Sequence, residues 1–221
     1  MKKILSILVI ALFVIPAICY GWGTPAKVQK ASYPFLVDKF DDGNFNKDPE
    51  WFVFDNVILN VVSNANLKQN SVSVAEKSLS FKGKAFDWYV GGMGTTLGID
   101  GTKYDSLELN VYGNGDASGL IKVELYDDDN GNADIEVDKS WKPTSDDLWS
   151  AELPVNWTGW KHISIPFSIL KKSGGGNGKF DPDLSNGSSG LNKIQIIAVA
   201  SSQTGAINFN IDSLELGLIK E

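Results

Sequence analysis

Residues 106–116 read SLELNVYGNGD, and residues 120–132 read LIKVELYDDDNGN. In the first stretch Leu107, Leu109 and Val111 share one side of an extended chain, with polar residues opposite, until Gly113-Asn114-Gly115 ends the run. In the second, Ile121, Val123 and Leu125 alternate in the same way, and Asn130-Gly131, a strong hairpin-turn pair, closes it. Successive strand side chains point to opposite faces, so each run predicts a strand with one buried and one wet face.

The same pattern continues outward. KHISIPF (161–167) puts Ile163, Ile165 and Phe167 on one face, and INFNIDSLELGL (207–218) does the same with Ile207, Phe209 and Ile211. WFVFDNVILNVV (51–62), KSLSFKG (77–83), ADIEVD (133–138) and KIQIIAVA (193–200) also read as strands. No segment keeps a helical period over eleven or more residues, although 167–172 could close one turn. The Gly/Ser/Asn-rich segment 171–190 precedes a further strand, so it reads as a long surface loop inside one domain. The predicted fold class is all-β, an antiparallel β-sandwich.

Lys2 and Lys3 precede an apolar run from Ile4 to Ile18. Its length suits the core of a secretory signal peptide and is short for a membrane span. The expected organisation is a signal peptide at 1–21, a short lead at 22–34 and a single sandwich domain at 35–221. The destination is secreted or periplasmic. Cys19, the only cysteine, leaves with the leader, or is acylated if the chain is a lipoprotein. Without disulfides an exported domain must be held by its core, with or without a metal.

The net charge is −7, and every one of the 20 basic residues is lysine. This argues against nucleic acid as a partner, and against anionic membranes. The absence of arginine removes the usual bidentate clamp for carboxylates and phosphates. Neutral ligands and cations remain. His162 is the single histidine, and no G-x-S-x-G motif occurs, so the chain reads as a non-enzyme.

Two acidic regions stand out. Residues 126–149 carry eight acids in 24 positions. An EF-hand register with Gly131 at loop position 6 puts Tyr126 at position 1, where an acid is needed. The segment reads instead as a solvated hairpin tipped by Asp129-Asn130-Gly131, with a weakly held cation as the alternative. The second region joins the chain ends. If LVDKFDDGN (36–44) pairs with FNIDSLEL (209–216), Asp38 or Asp41 meets Asp212, a hard-oxygen set suited to calcium.

Seven tryptophans complete the signal. Sugar rings stack flat C–H faces on indole or phenol while their hydroxyls bond to Asp and Asn. A Trp beside such residues therefore marks a saccharide site, against the alternative that it fills a core. Trp51 and Trp160 read as core. Trp141 and Trp149 bracket a loop and read as exposed. Trp88 and Tyr89 are adjacent in a strand, so one points in and one out.

LVDKFDDGN, FDWYVGG, YDSLELNVYGNG, GWKHISIPFS and INFNIDSLEL, in that order, resemble the galactose-binding-like jelly rolls of carbohydrate-binding modules. The resemblance is to family 11 modules and the related complex I intermediate-associated domains. The resemblance covers about residues 35–218. It implies a non-catalytic jelly roll that binds polysaccharide on a sheet face, with structural calcium at the paired termini. It places Asp41 and Asp212 at the calcium, and Asp87, Trp88, Tyr89 and Gly91 on the aromatic strand. The lack of Arg and the KSWKPTSDDLW insertion (139–149) depart from the pattern. The expected sugar site is Asp87, Trp88, Tyr89, Asp128, Trp141, Asp147 and Trp149, and the expected metal ligands are Asp38, Asp41 and Asp212. The competing expectation is an envelope structural or assembly protein that holds a protein partner on the same sandwich.

Overall fold

A computed structural model describes residues 34–67 and 72–218. The expected leader and most of the lead lie outside the described residues. The strands are β1 (Phe35–Asp38), β2 (Phe52–Asp55), β3 (Ile58–Ser63), β4 (Lys77–Lys84), β5 (Tyr89–Ile99) and β6 (Ser106–Asn114). They continue with β7 (Leu120–Asp127), β8 (Asp147–Pro154), β9 (Thr158–Pro166), β10 (Lys171–Lys172), β11 (Leu191–Val199) and β12 (Ala206–Gly217). Five single 3₁₀ turns link them among the described residues, one at Phe167–Ile169 where a turn was expected.

The strands form two six-stranded sheets, antiparallel throughout. The first runs β3-β4-β12-β6-β9, with β1 also on β12, and the second runs β10-β8-β7-β11-β5-β2. The chain crosses repeatedly between the sheets, giving the expected jelly-roll sandwich. Alternation explains the core. Leu107, Leu109 and Val111 face Ile121, Val123 and Leu125, and β11 adds Ile194 and Ile196, all nearly or wholly buried. Phe81 stacks on Phe209 with centroids 4.8 Å apart. Burying one such side chain contributes about 1.5–3 kcal/mol. Trp51 and Trp160 are core, as expected.

Two strand expectations are corrected. WFVFDNVILNVV splits at Asp55, whose left-handed φ of +59° turns the chain from β2 in the second sheet to β3 in the first. ADIEVD forms no strand. The hairpin partner of β7 is β8, which begins at Asp147 and pairs with Asp127, while 128–146 is a loop. Asp128 causes this, because its carboxylate accepts from Gly131 N (3.0 Å) and Ala133 N (3.1 Å) and folds the chain back before a strand can form.

Candidate functional site

The side chains left outside by the core-facing alternation of the second sheet assemble a distinctive face. Register aligns Phe52 of β2, Gly94 of β5, Gln195 of β11, Glu124 of β7 and Ser150 of β8 in one row. The next row holds Phe54, Gly92, Ile197, Lys122 and Glu152. Five neighbouring strands span about 19 Å. The two glycines matter because they lack side chains. A Cβ on Gly92 would lie 2.7 Å from the Phe54 ring, and one on Gly94 would strike the Phe52 ring and crowd Gln195. The rings therefore lie across the bare strand. Their centroids are 6.1 Å apart, and Phe52 remains 43% exposed.

Polar groups flank the rings. Lys193 sits over both Tyr126 and Phe52, 5.2 and 5.9 Å from their centroids. Burial depresses its ammonium pKa, leaving a poorly hydrated donor. The Tyr126 hydroxyl donates to Glu124 Oε2 (3.0 Å) and lies 3.2 Å from Gln195 Oε1. Lys122 pairs with Glu124 Oε1 at 2.7 Å. Tyr89, 39% exposed, donates to Asp55 at 2.5 Å, and burial followed by that carboxylate raises its pKa. Aromatic surface, amide, carboxylates and ammoniums thus share one shallow face, which can stack an apolar ring face and bond a surrounding set of hydroxyls.

Of the expected sugar-site residues, Tyr89 belongs to this face. Asp87 and Trp88 form the β4–β5 turn at its end, both at left-handed φ and both exposed, with Asp87 accepting from Gln203 Nε2 at 3.3 Å. Trp141 is 81% exposed at the tip of the 128–146 loop. The others are placed elsewhere. Trp149 pairs with Leu125 on the core-facing side of β8 and packs edge-on against Phe180. Asp128 is buried and saturated, accepting from Gly131, Ala133 and Ser189. Burial pushes its carboxyl up, but those hydrogen bonds outweigh it and hold the carboxyl below its usual range. Asp147 is wholly buried, bonded to Gly178 N (2.7 Å) and Lys172 Nζ (2.8 Å). Asp128 and Asp147 therefore offer no surface for a sugar, and Trp149 is partly buried on the inward side. Phe52, Phe54, Glu124, Tyr126, Lys193 and Gln195 line this face and were not among the residues expected from the sequence. The readable signal was Gly92 and Gly94, spaced to bare one face of a strand, together with the Phe52/Phe54 pair at the same spacing.

The acidic loops meet at the other end of β7. One carboxylate oxygen each from Asp127, Asp129 and Asp181 lies within 4.8 Å of the others. Residues 174–181 wrap them, with Asn177 N on Asp129 Oδ2 (3.1 Å) and Asp181 N on Asp127 Oδ2 (2.9 Å). Burial pushes Asp127 up to about 8, helped by the charges of Asp129, Asp181 and Asp147, and burial likewise takes Asp146 to about 6.

At the chain ends β1 pairs with β12, as expected. Asp38 is engaged by Trp51 Nε1 (2.8 Å) and Phe40 N (2.7 Å). Asp212 is fully buried and accepts from Ala75 N at 3.0 Å. Burial raises its pKa, and the nearby Asp41 charge adds to this. Asp41 Oδ1 is buried without a hydrogen-bond partner, while its Oδ2 lies 3.4 Å from Lys39. Among the described residues Asp38, Asp41 and Asp212 do not gather as a three-carboxylate set, which corrects the expected ligands. Both Asp38 oxygens are taken, by Phe40 and Trp51. What remains is the unpartnered Asp41 Oδ1 with the buried Asp212, a pair that could hold a cation.

No protein-family model matches the chain. No curated protein sequence matches it. Among solved structures it is similar to the family 11 carbohydrate-binding module of cellulosomal cellulase Lic26A-Cel5E of Clostridium thermocellum, with 14% identity and a TM-score of 0.49 over 86% of this chain and 96% of that one. A family 11 module from the same organism, in complex with a β-1,3-1,4-mixed-linked tetrasaccharide, matches at 16% identity and a TM-score of 0.48, covering 85% and 98% of the two chains. The CBM22-1 xylan-binding domain from Paenibacillus barcinonensis Xyn10C matches at 13% identity and 0.44, covering 86% and 96%. These are likenesses of fold. No helix among the described residues is long and apolar enough to cross a membrane.

Proposed function

We propose that this chain is a non-catalytic carbohydrate-binding protein that holds a polysaccharide on the outer face of its second sheet. The observation that carries the reading is the pair of Phe rings laid over Gly92 and Gly94 beside Tyr89, Tyr126, Lys193, Gln195 and Glu124. Sugar rings stack on Phe52 and Phe54. Their hydroxyls bond to Gln195, Glu124, Lys193 and Asp55. Trp88 and Asp87 form the rim. The absence of arginine suits a neutral glycan. A calcium held by Asp41 and Asp212 has a structural role in this reading, clipping β1 to β12. The exported setting follows from the leader expected at 1–21.

Affinity electrophoresis through gels cast with soluble β-glucans, xylans and galactans tests the function. Retardation by one glycan class is expected, and its loss in the Phe52→Ala, Phe54→Ala double variant. Unchanged mobility of the folded protein across the panel would sink the reading and turn the search to a protein partner.

A further inference from the structure

The acidic loops contain a feature that the sugar face does not explain. Asp127 is wholly buried at the end of β7, and its Oδ1 has no hydrogen-bond partner, while Oδ2 accepts from Asp181 N. A buried carboxylate oxygen without a partner is costly to keep. Asp127 shares a cluster with two further carboxylates, those of Asp129 and Asp181, and Asp147 lies close by, with Gly176 packed against both Asp129 and Asp147. Among the described residues the only ion pair made by this group is Lys172 with Asp147, so one ammonium stands against four acids. The loop backbone contributes what neutral groups can. Asn177 N donates to Asp129, Gly178 N to Asp147 and Asp181 N to Asp127. Gly176, at φ +70°, passes so close that a Cβ there would strike the Asp129 carboxylate and lie 2.5 Å from Asp147 Oδ1. The segment is therefore shaped around the acids, and the Asp127 oxygen is still left over.

We propose that Asp127, Asp129 and Asp181 form a calcium site that ties residues 174–181 and the start of the 128–146 loop to the end of the second sheet. Two oxygens on one calcium, each about 2.3–2.6 Å from it, sit at most about 5 Å apart, and the three carboxylates meet that limit. All three ligands are hard oxygens, which select calcium, magnesium or manganese over softer metals. Magnesium gives up its waters reluctantly, whereas calcium accepts six to eight ligands in irregular arrangements, so a buried carboxylate favours calcium. Three positions scattered at 127, 129 and 181 explain why no loop motif shows in the sequence. Lys172 neutralises Asp147 and weakens the site from outside it. This site is separate from the acids at the chain ends, which lie on β1, β12 and the β1–β2 connection.

Calorimetric titration of calcium chloride into chelator-stripped full-length protein tests the site. Asp181 is exposed, so Asp181→Asn folds, and it is expected to weaken one class of calcium sites at least tenfold. Asp129→Asn is expected to do the same, Asp41→Asn to leave that class intact, and Lys172→Met to tighten it several-fold. If wild type, Asp181→Asn and Asp129→Asn give the same isotherm, the site does not exist. It is equally ruled out if Asp41→Asn alone abolishes all calcium binding.

Discussion

The two outer faces of the sandwich follow one alternation rule and end with opposite characters. On the first sheet the outward residues of β6 and β9 satisfy one another. Glu108 Oε1 accepts from Ser106 Oγ and Ser164 Oγ, both at 2.7 Å, and His162 bridges Glu108 Oε2 and Asn110 Oδ1 at 3.0 Å each. On the second sheet the equivalent positions are rings and glycines, with polar groups arranged around an open aromatic surface. A face whose polar groups already satisfy each other offers little to a ligand. The second face also pairs several of its polar groups, Tyr126 and Lys122 with Glu124 and Tyr89 with Asp55. It nevertheless leaves ring surface exposed beside them, and exposed ring surface gains from a stacking ligand.

The largest effect that can break this contrast is on binding. Each stacked aromatic is worth about 1–3 kcal/mol by analogy with stacking on nucleic-acid bases, so Phe52→Ala with Phe54→Ala is expected to cut glycan affinity by about 10²-fold or more. Equal loss from His162→Ala, on the other sheet, would erase the distinction between the faces. Gly94→Val comes next. Its side chain would lift the Phe52 ring and is expected to weaken retardation about tenfold while leaving the fold intact by circular dichroism. The stability of each sheet can also be compared. Asp127 ends a strand of the second sheet, and Asp212 lies in a strand of the first. At free calcium a hundredfold above Kd, each site contributes about 2.7 kcal/mol. Chelator should therefore lower Tm in wild type by more than in Asp181→Asn, and a parallel drop would place all calcium at the chain ends. In chelator, pH sharpens the comparison further. Burial raises Asp127 to about 8, so the folded state keeps a proton that the unfolded chain releases near its ordinary value of 3.8. Its contribution to stability is then fully present below about pH 4 and falls as pH rises towards 8. The decline should flatten in Asp127→Asn, as read by Tm between pH 5 and 8.5. The smallest effect is expected for Glu108→Gln, on the exposed polar face, at about 1 kcal/mol or less in stability and none in glycan retention.

The fold was legible because period-two apolar runs leave few alternatives, and residues 106–125 alone define two facing core strands. The interruption at Asp55 was not legible, since a single left-handed residue leaves the apolar pattern of 51–62 intact. Nor was the collapse of ADIEVD, where two hydrogen bonds from Ser189 and two from the local backbone converge on the Asp128 carboxylate, the first pair arriving from a segment about 60 residues away. The site was partly legible. Tyr89 and Trp88 could be picked out by chemistry, but the expectation that they are strand neighbours, one in and one out, fails because Trp88 sits at a left-handed φ in the β4–β5 turn and both are exposed. Trp149 shows that a tryptophan among polar neighbours still turns inward when the strand parity demands it. Phe52 and Phe54 read only as part of a strand, because sequence alone does not show that Gly92 and Gly94 leave room for their rings on the outer face. The acids pose the reverse case. They looked solvated because glycines and asparagines surround them, and those same residues supply the backbone donors that bury them.

The pairing of Phe35 with Leu216 has a practical consequence for protein engineering. Paired residues on antiparallel strands sit about 5 Å apart, so the two ends of the sandwich can be joined by a short turn. New ends opened at the exposed turn around Trp141 would interrupt no strand. Such a circular permutant is expected to refold with the same two sheets, and it would display the binding face from a different attachment point.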